Sequence, residues 1–286
     1  MTDISEHDTE PPEPYGAKFG LIPSPSGYVG HGPASELFGA SSIPWEALPP
    51  TGDILSQRDQ DCVANAGADA QLDRLRQQGS AGELSSRRWG YYGARKEGRL
   101  LERDGGCMPS DWVESMNARG WCSERWWAYD GSPSDAPPEE ALQHAVDQIG
   151  QLRMHRVADS EDLRRGLAAG LTAMAGLVVD RYFQRYSGGV WSFDGRGGVG
   201  RHMVRIVGYD DGGATYRGKN SWGVGWGEPY PGPRWELSAA GVWVGAAPRP
   251  GEAGCFRIDG GTLFNWSVTS EIWLIDWVAS ESEYAK

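Results

Sequence analysis

An α+β fold with two packed lobes is predicted by three observations. Helical periodicity fills the first half of the chain, short β-branched and aromatic runs fill the second, and the change falls near residue 160. Residues 1–44 stand apart, being rich in Pro and Gly (Pro11, Pro12, Pro14, Pro23, Pro25, Pro33, Pro44). They read as an extended surface segment whose first 15 or so residues lack structure. Residues 45–286 form the folded domain, with a helical lobe over about 52–155 and a sheet lobe over about 156–286.

Each element has a local reason. The run CVANAGADAQLDRLRQQG from Cys62 places Ala64, Ala68, Leu72 and Leu75 at helical spacing, and Gly79 stops it. Its small residues Ala64, Ala66 and Ala68 suit a helix packed closely on several sides. Further helices are expected over 85–98, 109–119, 138–152 and 161–170, with the Pro-rich stretch 130–138 as a loop. LVVDRYF (177–183), HMVRIVGYD (202–210), GCFRI (254–258) and SEIWLIDW (270–277) read as strands separated by Gly-rich turns.

Bulk properties narrow the function classes. The chain has 286 residues, 39% hydrophobic and 23% charged, which is globular composition able to bury a large core. Net charge is −12, so a phosphate-binding face and a nucleic-acid partner are not expected. Asp3, Glu6, Asp8, Glu10 and Glu13 supply much of that imbalance from a solvated tail. MTDISEHDTEPPEP carries neither the basic nor the apolar region of a secretory signal, and no stretch is apolar for the roughly 20 residues a bilayer requires. The 4 Cys show no CxxC spacing and read as reduced thiols. A cytoplasmic, membrane-free and monomeric protein is expected. Only 4 of the 27 basic residues are Lys, which hints at a GC-rich bacterial or phage genome and leaves a virion-associated role open.

Cys62 opens the first helix, His202 follows 140 positions later, and Asn220 lies in a Lys-Asn-Ser-Trp-Gly stretch. Thiol, imidazole and amide in that order supply the parts of a thiol acyl-transfer site. The thiolate attacks, the imidazole moves the proton, and the amide orients the imidazole. A helix N-terminus favours the thiolate, and a neighbouring imidazolium favours it further. The downstream distance agrees with the roughly 130–150 residues expected for such sites. GRGGVG at 195–200 precedes a strand bearing His202 and is not expected to bind nucleotide. Cys107 and Cys122 lack zinc-site spacing with any His, so neither metal nor cofactor is expected. His144 and His155 read as surface residues, and Trp126–Trp127 as core between the lobes.

At several points along the chain the sequence resembles the papain-like cysteine peptidases. SQRDQDCVANA (56–66) is similar to the family's Gln-to-Cys segment in its bacterial form. YYGAR (91–95), Gly105-Gly106 and GWCSERWWAYD (120–130) follow in the family's order. So do FQRYSGGVW (183–191), RHMVRIVGYD (201–210), KNSWGVGWGE (219–228) and GCFRI. The resemblance covers roughly 45–277. It implies the papain-like fold, a helical lobe against an antiparallel sheet or barrel with the site in the cleft between them. It makes Cys62 the nucleophile, His202 the general base and acid, and Asn220 the orienting amide covered by Trp222. An upstream Gln side chain and the Cys62 N–H would form the oxyanion hole. Gly105 and Gly106 would let a peptide substrate pair with the cleft backbone, and Met203 would line the pocket for the second side chain before the cut.

Departures from the family pattern carry information. Gln57 lies one residue closer to the thiol than the family's usual spacing, with Gln60 as the alternative donor. Asp61 replaces a small neutral residue beside the nucleophile, and its carboxylate would oppose thiolate formation. Met203 replaces a small residue and implies a narrower, softer pocket. Residues 229–254 form an insertion expected to add a hairpin or flap to the sheet lobe. The stretch before Cys62 is too short for the family's inhibitory helical propeptide, so KFGLIPSPSG (18–27) is expected to wrap the sheet lobe with no zymogen step. The resulting expectation is a cysteine endopeptidase acting on peptides or proteins. The alternatives are a catalytically impaired binding module and a transamidase or deamidase using the same three residues.

Overall fold

A computed structural model describes residues 18–37, 54–77, 82–145, 152–210, 214–229, 234–237, 243–246 and 253–277. The predicted disorder of the first 15 residues falls outside them. The helical lobe holds α1 (Cys62–Gln77), α2 (Arg87–Glu97), α3 (Pro109–Arg119) and α4 (Glu139–Ala145). The small residues of α1 are explained by Gly67, where a Cβ would sit 2.3 Å from the Trp112 ring of α3. Helix α2 starts where the Ser86 side chain accepts the Trp89 N–H, and Ser86 in turn donates to the Trp127 carbonyl.

The second lobe contains β1 (Leu152–Arg156), α5 (Ser160–Ala168), β2 (Thr172–Val179), α6 (Arg181–Gln184), β3 (Val190–Trp191), β4 (Gly200–Asp210) and β5 (Thr215–Lys219). It continues with β6 (Arg234–Leu237), β7 (Trp243–Ala246), β8 (Cys255–Asp259), α7 (Gly260–Leu263) and β9 (Thr269–Trp277). One seven-stranded sheet runs β1-β9-β2-β4-β5-β8-β3, antiparallel except between β3 and β8. The insertion contributes the antiparallel hairpin β6–β7 that the sequence suggested.

Three local expectations are corrected. LVVDRYF is split, because Asp180 accepts the Phe183 N–H and turns the chain from β2 into α6. Of the helix expected over 138–152, Glu139–Ala145 is present, residues 146–151 lie outside the described residues, and Leu152 already belongs to a strand. Residues 152–156 are strand β1, so the sheet lobe begins before residue 156. His155 is accordingly buried in β1 rather than on the surface, whereas His144 is exposed and stacks on the half-buried Trp126 at 3.7 Å.

Two apolar cores result, one around α1, α2 and α3 and one inside the sheet lobe. A buried ion cluster joins them: Arg205 of β4 contacts Asp69 (2.7 Å) and Asp73 (2.9 Å) of α1, and Lys219 of β5 contacts Asp69 (2.6 Å). Charges removed from water this completely are tolerable only when paired with good geometry. The cluster therefore fixes α1 against the two strands that carry the candidate site. No helix among the described residues is long and apolar enough to cross a membrane.

Candidate active site

Cys62 occupies the first turn of α1, His202 lies near the start of β4, and Asn220 directly follows β5. The fold brings all three together. The Met203 N–H donates to the Cys62 sulfur at 3.4 Å, which seats the sulfur beside the backbone of the residue after His202. His202 Nε2 lies 2.7 Å from Asn220 Oδ1, and that oxygen also accepts the Ser221 N–H at 2.7 Å. With two donors on Oδ1, the ring presents Nε2–H to the amide, leaving Nδ1 as the acceptor in the neutral imidazole. Nδ1 has no hydrogen-bond partner in this state, the sulfur included. Trp222 stacks on the imidazole at 4.6 Å and is itself buried, so the His202–Asn220 bond is covered.

Gln57 and Gln60 separate clearly. Backbone pairing of residues 55–57 with 221–223 fixes the turn (Gln57 N–H to Ser221 O, 2.7 Å; Gly223 N–H to Leu55 O, 2.9 Å). Ser221 Oγ donates to Gln57 Oε1 at 2.6 Å, which aims Nε2 outward to the carbonyls of Lys18 and Asp59, both at 3.1 Å. Gln60 instead has its N–H held by Asp104 and its carbonyl against Gly20. The positioning role of Ser221 was not evident from sequence, because it depends on strand pairing between distant segments.

Residues 18–27 were expected to wrap the sheet lobe, and residues 18–24 do contact it, with Gly20 N–H donating to the Arg201 carbonyl and Ser24 N–H to Glu271. The same segment also crosses the cleft to Cys107 of the helical lobe, and residues 30–33 pair with β1. The Lys18 carbonyl accepts from Gln57 Nε2 and, at 3.3 Å, from Trp222 Nε1. Phe19 sets an edge on the His202 ring at 6.4 Å. The Gly20 carbonyl accepts the Cys107 N–H (3.0 Å), and the Ile22 N–H donates to the Cys107 carbonyl (3.1 Å). Cleft pairing thus runs through Cys107, one residue beyond the predicted glycines. Gly106 supplies clearance: its φ is +89°, and a Cβ there would lie 2.1 Å from the Gly20 carbonyl oxygen. Gly105 faces no such crowding.

Leu21 fills the gap over Gly176, whose Cβ would lie 2.7 Å from a Leu21 methyl. Gly176 pairs across the sheet with Met203 on one side and Glu271 on the other, which sets Met203 next to Gly176 on β4. The Ser24 N–H caps Glu271 Oε1 at 3.1 Å. No pattern in KFGLIPSPSG announces this path.

Burial inverts the electrostatics expected for an exposed thiol at a helix start. Cys62 and His202 are both 0% exposed. Burial, more than the nearby Asp61, pushes the Cys62 thiol up to about 12, against the lowering effect of the Met203 N–H. Burial pulls the His202 imidazole down to about 4, although the Asn220 hydrogen bond works the other way. The pair is therefore neutral in this state, in which residues 18–22 form a strap across the cleft. None of the 4 Cys forms a disulfide, and all are buried. Among the described residues no group of His, Cys, Asp and Glu could hold a metal ion.

Comparison with known proteins gives concordant results. The family model described as papain family cysteine protease matches residues 97–230. An uncharacterized peptidase C1-like protein of Acanthamoeba polyphaga mimivirus is 28% identical over 194 residues, 60% of this chain. The match spans only 62% of that relative's length. Among solved structures, xylellain, a cysteine protease from Xylella fastidiosa, superposes with a TM-score of 0.71 at 24% identity, covering 92% of this chain and 97% of that one. Digestive procathepsin L 3 of Tenebrio molitor larval midgut gives 0.59 at 15% identity, over 84% and 71% of the two chains. Motif series, family match and architecture agree: over residues 97–230 the chain is similar to the papain family of cysteine proteases, and its fold is papain-like.

Proposed function

We propose that the protein is a cysteine endopeptidase with Cys62, His202 and Asn220 as its catalytic residues, held latent by residues 18–22. The observation that carries this reading is the pairing of His202 Nε2 with Asn220 Oδ1 at 2.7 Å, with the Cys62 sulfur seated against Met203 N. Nδ1 then takes the thiol proton as sulfur bonds to the scissile carbonyl carbon. The Cys62 N–H and Gln57 Nε2–H stabilise the oxyanion. Collapse breaks the C–N bond, and the proton on Nδ1 passes to the departing amine. Water, deprotonated by Nδ1, hydrolyses the thioester and restores the thiol.

Latency follows from competition for one donor. Gln57 Nε2 cannot serve a substrate oxyanion while it is bound to the Lys18 carbonyl. The strap also runs in the wrong sense for cleavage. Substrate residues before the cut lie toward Gly106 and Met203, so their numbering falls away from the sulfur. Strap numbering rises along that path, from Lys18 at Gln57 to Leu21 at Cys107.

A thiol-directed covalent peptide probe tests the proposal. Folded protein at neutral pH should be labelled at Cys62, and the Cys62→Ala variant should lose that label. Absence of labelling on Cys62 in a folded Gly20→Ala protein, whose strap is released, removes the peptidase reading. One observation favours a second reading, a binding module: thiol and imidazole are both buried and neutral. A Cys62→Ala protein that retains full biological activity would establish it.

A further inference from the structure

Asp61 occupies the position preceding α1, where an Asp ordinarily accepts N–H groups of the first helical turn. It does not do so. Its Oδ2 accepts the Tyr129 hydroxyl at 2.6 Å, and its Oδ1 is buried without a partner. The same Tyr129 oxygen accepts the Arg58 N–H at 2.8 Å, and the Tyr129 carbonyl accepts Arg58 Nη1. One phenol thus ties together both ends of the turn that separates Gln57 from Cys62. Tyr129 is itself clamped, with the Arg87 guanidinium 3.6 Å from its ring centroid. Arg87 is anchored to Glu124 at 2.5 Å and to Asn65 Oδ1 at 3.1 Å.

This arrangement leaves a buried carboxyl in neither a helix cap nor an ion pair, on the residue that precedes the thiol and within its electrostatic reach. We propose that Asp61, held by Tyr129, is a positioning residue that sets the pH range over which Cys62 can ionise. The proposal rests on Cys62 being the nucleophile. With the carboxyl protonated, the thiolate faces no adjacent negative charge. With it ionised, that charge opposes thiolate formation and the nucleophile is held back. The groups facing Asp61 are Asp59, which favours protonation, and Tyr129, Arg88 and Arg87, which favour the carboxylate. The thiols Cys62 and Cys107 lie within its field. Burial outweighs these neighbours and lifts the Asp61 carboxyl to about 7, which puts the switch near neutrality.

The test compares wild type, Asp61→Asn and Tyr129→Phe as full chains. Iodoacetamide labelling rates are followed from pH 5 to 9, with the modified Cys located by peptide mapping. Any gating by the strap is common to all three proteins and cancels in the ratios. Removing one unit charge at this range lowers the thiol pKa by about one unit. The tenfold gain in thiolate is cut to about three- to fourfold in rate by its lower nucleophilicity. The ratio of Asp61→Asn to wild type should therefore climb from near one at pH 5.5 to about three or four at pH 8.5. Tyr129→Phe withdraws the donor from the carboxylate, so its own ratio should exceed one around neutrality and fall back at higher pH. A purely structural Tyr129 would change the rate by the same factor at every pH. A flat Asp61→Asn ratio with Cys62 labelled overturns the role of Asp61, and a flat Tyr129→Phe ratio overturns that of Tyr129. Failure to label Cys62 in all three proteins, with Gly20→Ala added to each to release the strap, overturns the nucleophile assignment and this proposal together.

Discussion

Replacing Gly20 with Ala should release the strap and raise the reactivity of Cys62. Gly20 has φ +151°, and a Cβ there would lie 1.9 Å from the Gln60 carbonyl oxygen and 2.4 Å from its carbon. Backbone cannot yield as a flexible side chain can, so the strap must lift. Five hydrogen bonds hold residues 18–22: two to the Lys18 carbonyl, Gly20 N–H to Arg201 O, and two with Cys107. At about 1 kcal/mol each, with about 2 kcal/mol for burying Leu21, they gain roughly 7 kcal/mol. Ordering five residues costs about 5–10 kcal/mol, so the strap sits close to balance. A clash costing about 3 kcal/mol should shift its equilibrium toward the open form by up to about a hundredfold. The assay is the rate of probe labelling at Cys62, with Gly27→Ala as control, since that glycine has positive φ but nothing within 4 Å. An increase of tenfold or more is expected in Gly20→Ala alone. An unchanged rate in a protein with unaltered circular dichroism would refute the reasoning.

Further outcomes follow from the same geometry. Asn220→Ala frees the His202 ring and should lower kcat by about 10–100-fold with little change in KM, measured on a protein already relieved of its strap by Gly20→Ala. Asp69→Asn leaves Arg205 and Lys219 partly uncompensated in the interior and should cost about 3–5 kcal/mol in urea unfolding. Asp61 has a folded pKa raised to about 7. Its contribution to stability is fully present below the unfolded carboxyl value and is lost as pH rises through about 7. Asp61→Asn should therefore melt higher than wild type at pH 8 and lose that advantage at pH 4.

Much of the fold was legible because its signals are local. Helix α1 follows from the spacing of Ala64, Ala68, Leu72 and Leu75, and β4, β8 and β9 follow from β-branched and aromatic runs. The misreadings are places where one short-range signal hides inside another. Asp180 caps α6 within a run that reads as continuous strand, and His155 looks polar yet lies in a paired strand beneath residues 30–33. Cys62, His202 and Asn220 could be picked out by type and order, and the structure places them together. Gln57 was preferred to Gln60 from the resemblance alone, whereas the bond that orients its side chain, from Ser221 164 residues away, was not legible. Nor was the neutral state of the thiol and imidazole, which comes from their complete burial in the folded chain.

The four-charge cluster of Arg205, Lys219, Asp69 and Asp73 decides how a ligand can enter. Arg205 lies three residues beyond His202, Lys219 immediately precedes Asn220, and Asp69 lies two turns along from Cys62. Prising the lobes apart would strand these ions in a poorly solvated gap, at a cost far above that of peeling away five residues of strap. Admission to the groove is therefore by unlacing its cover, while the halves beneath remain bolted.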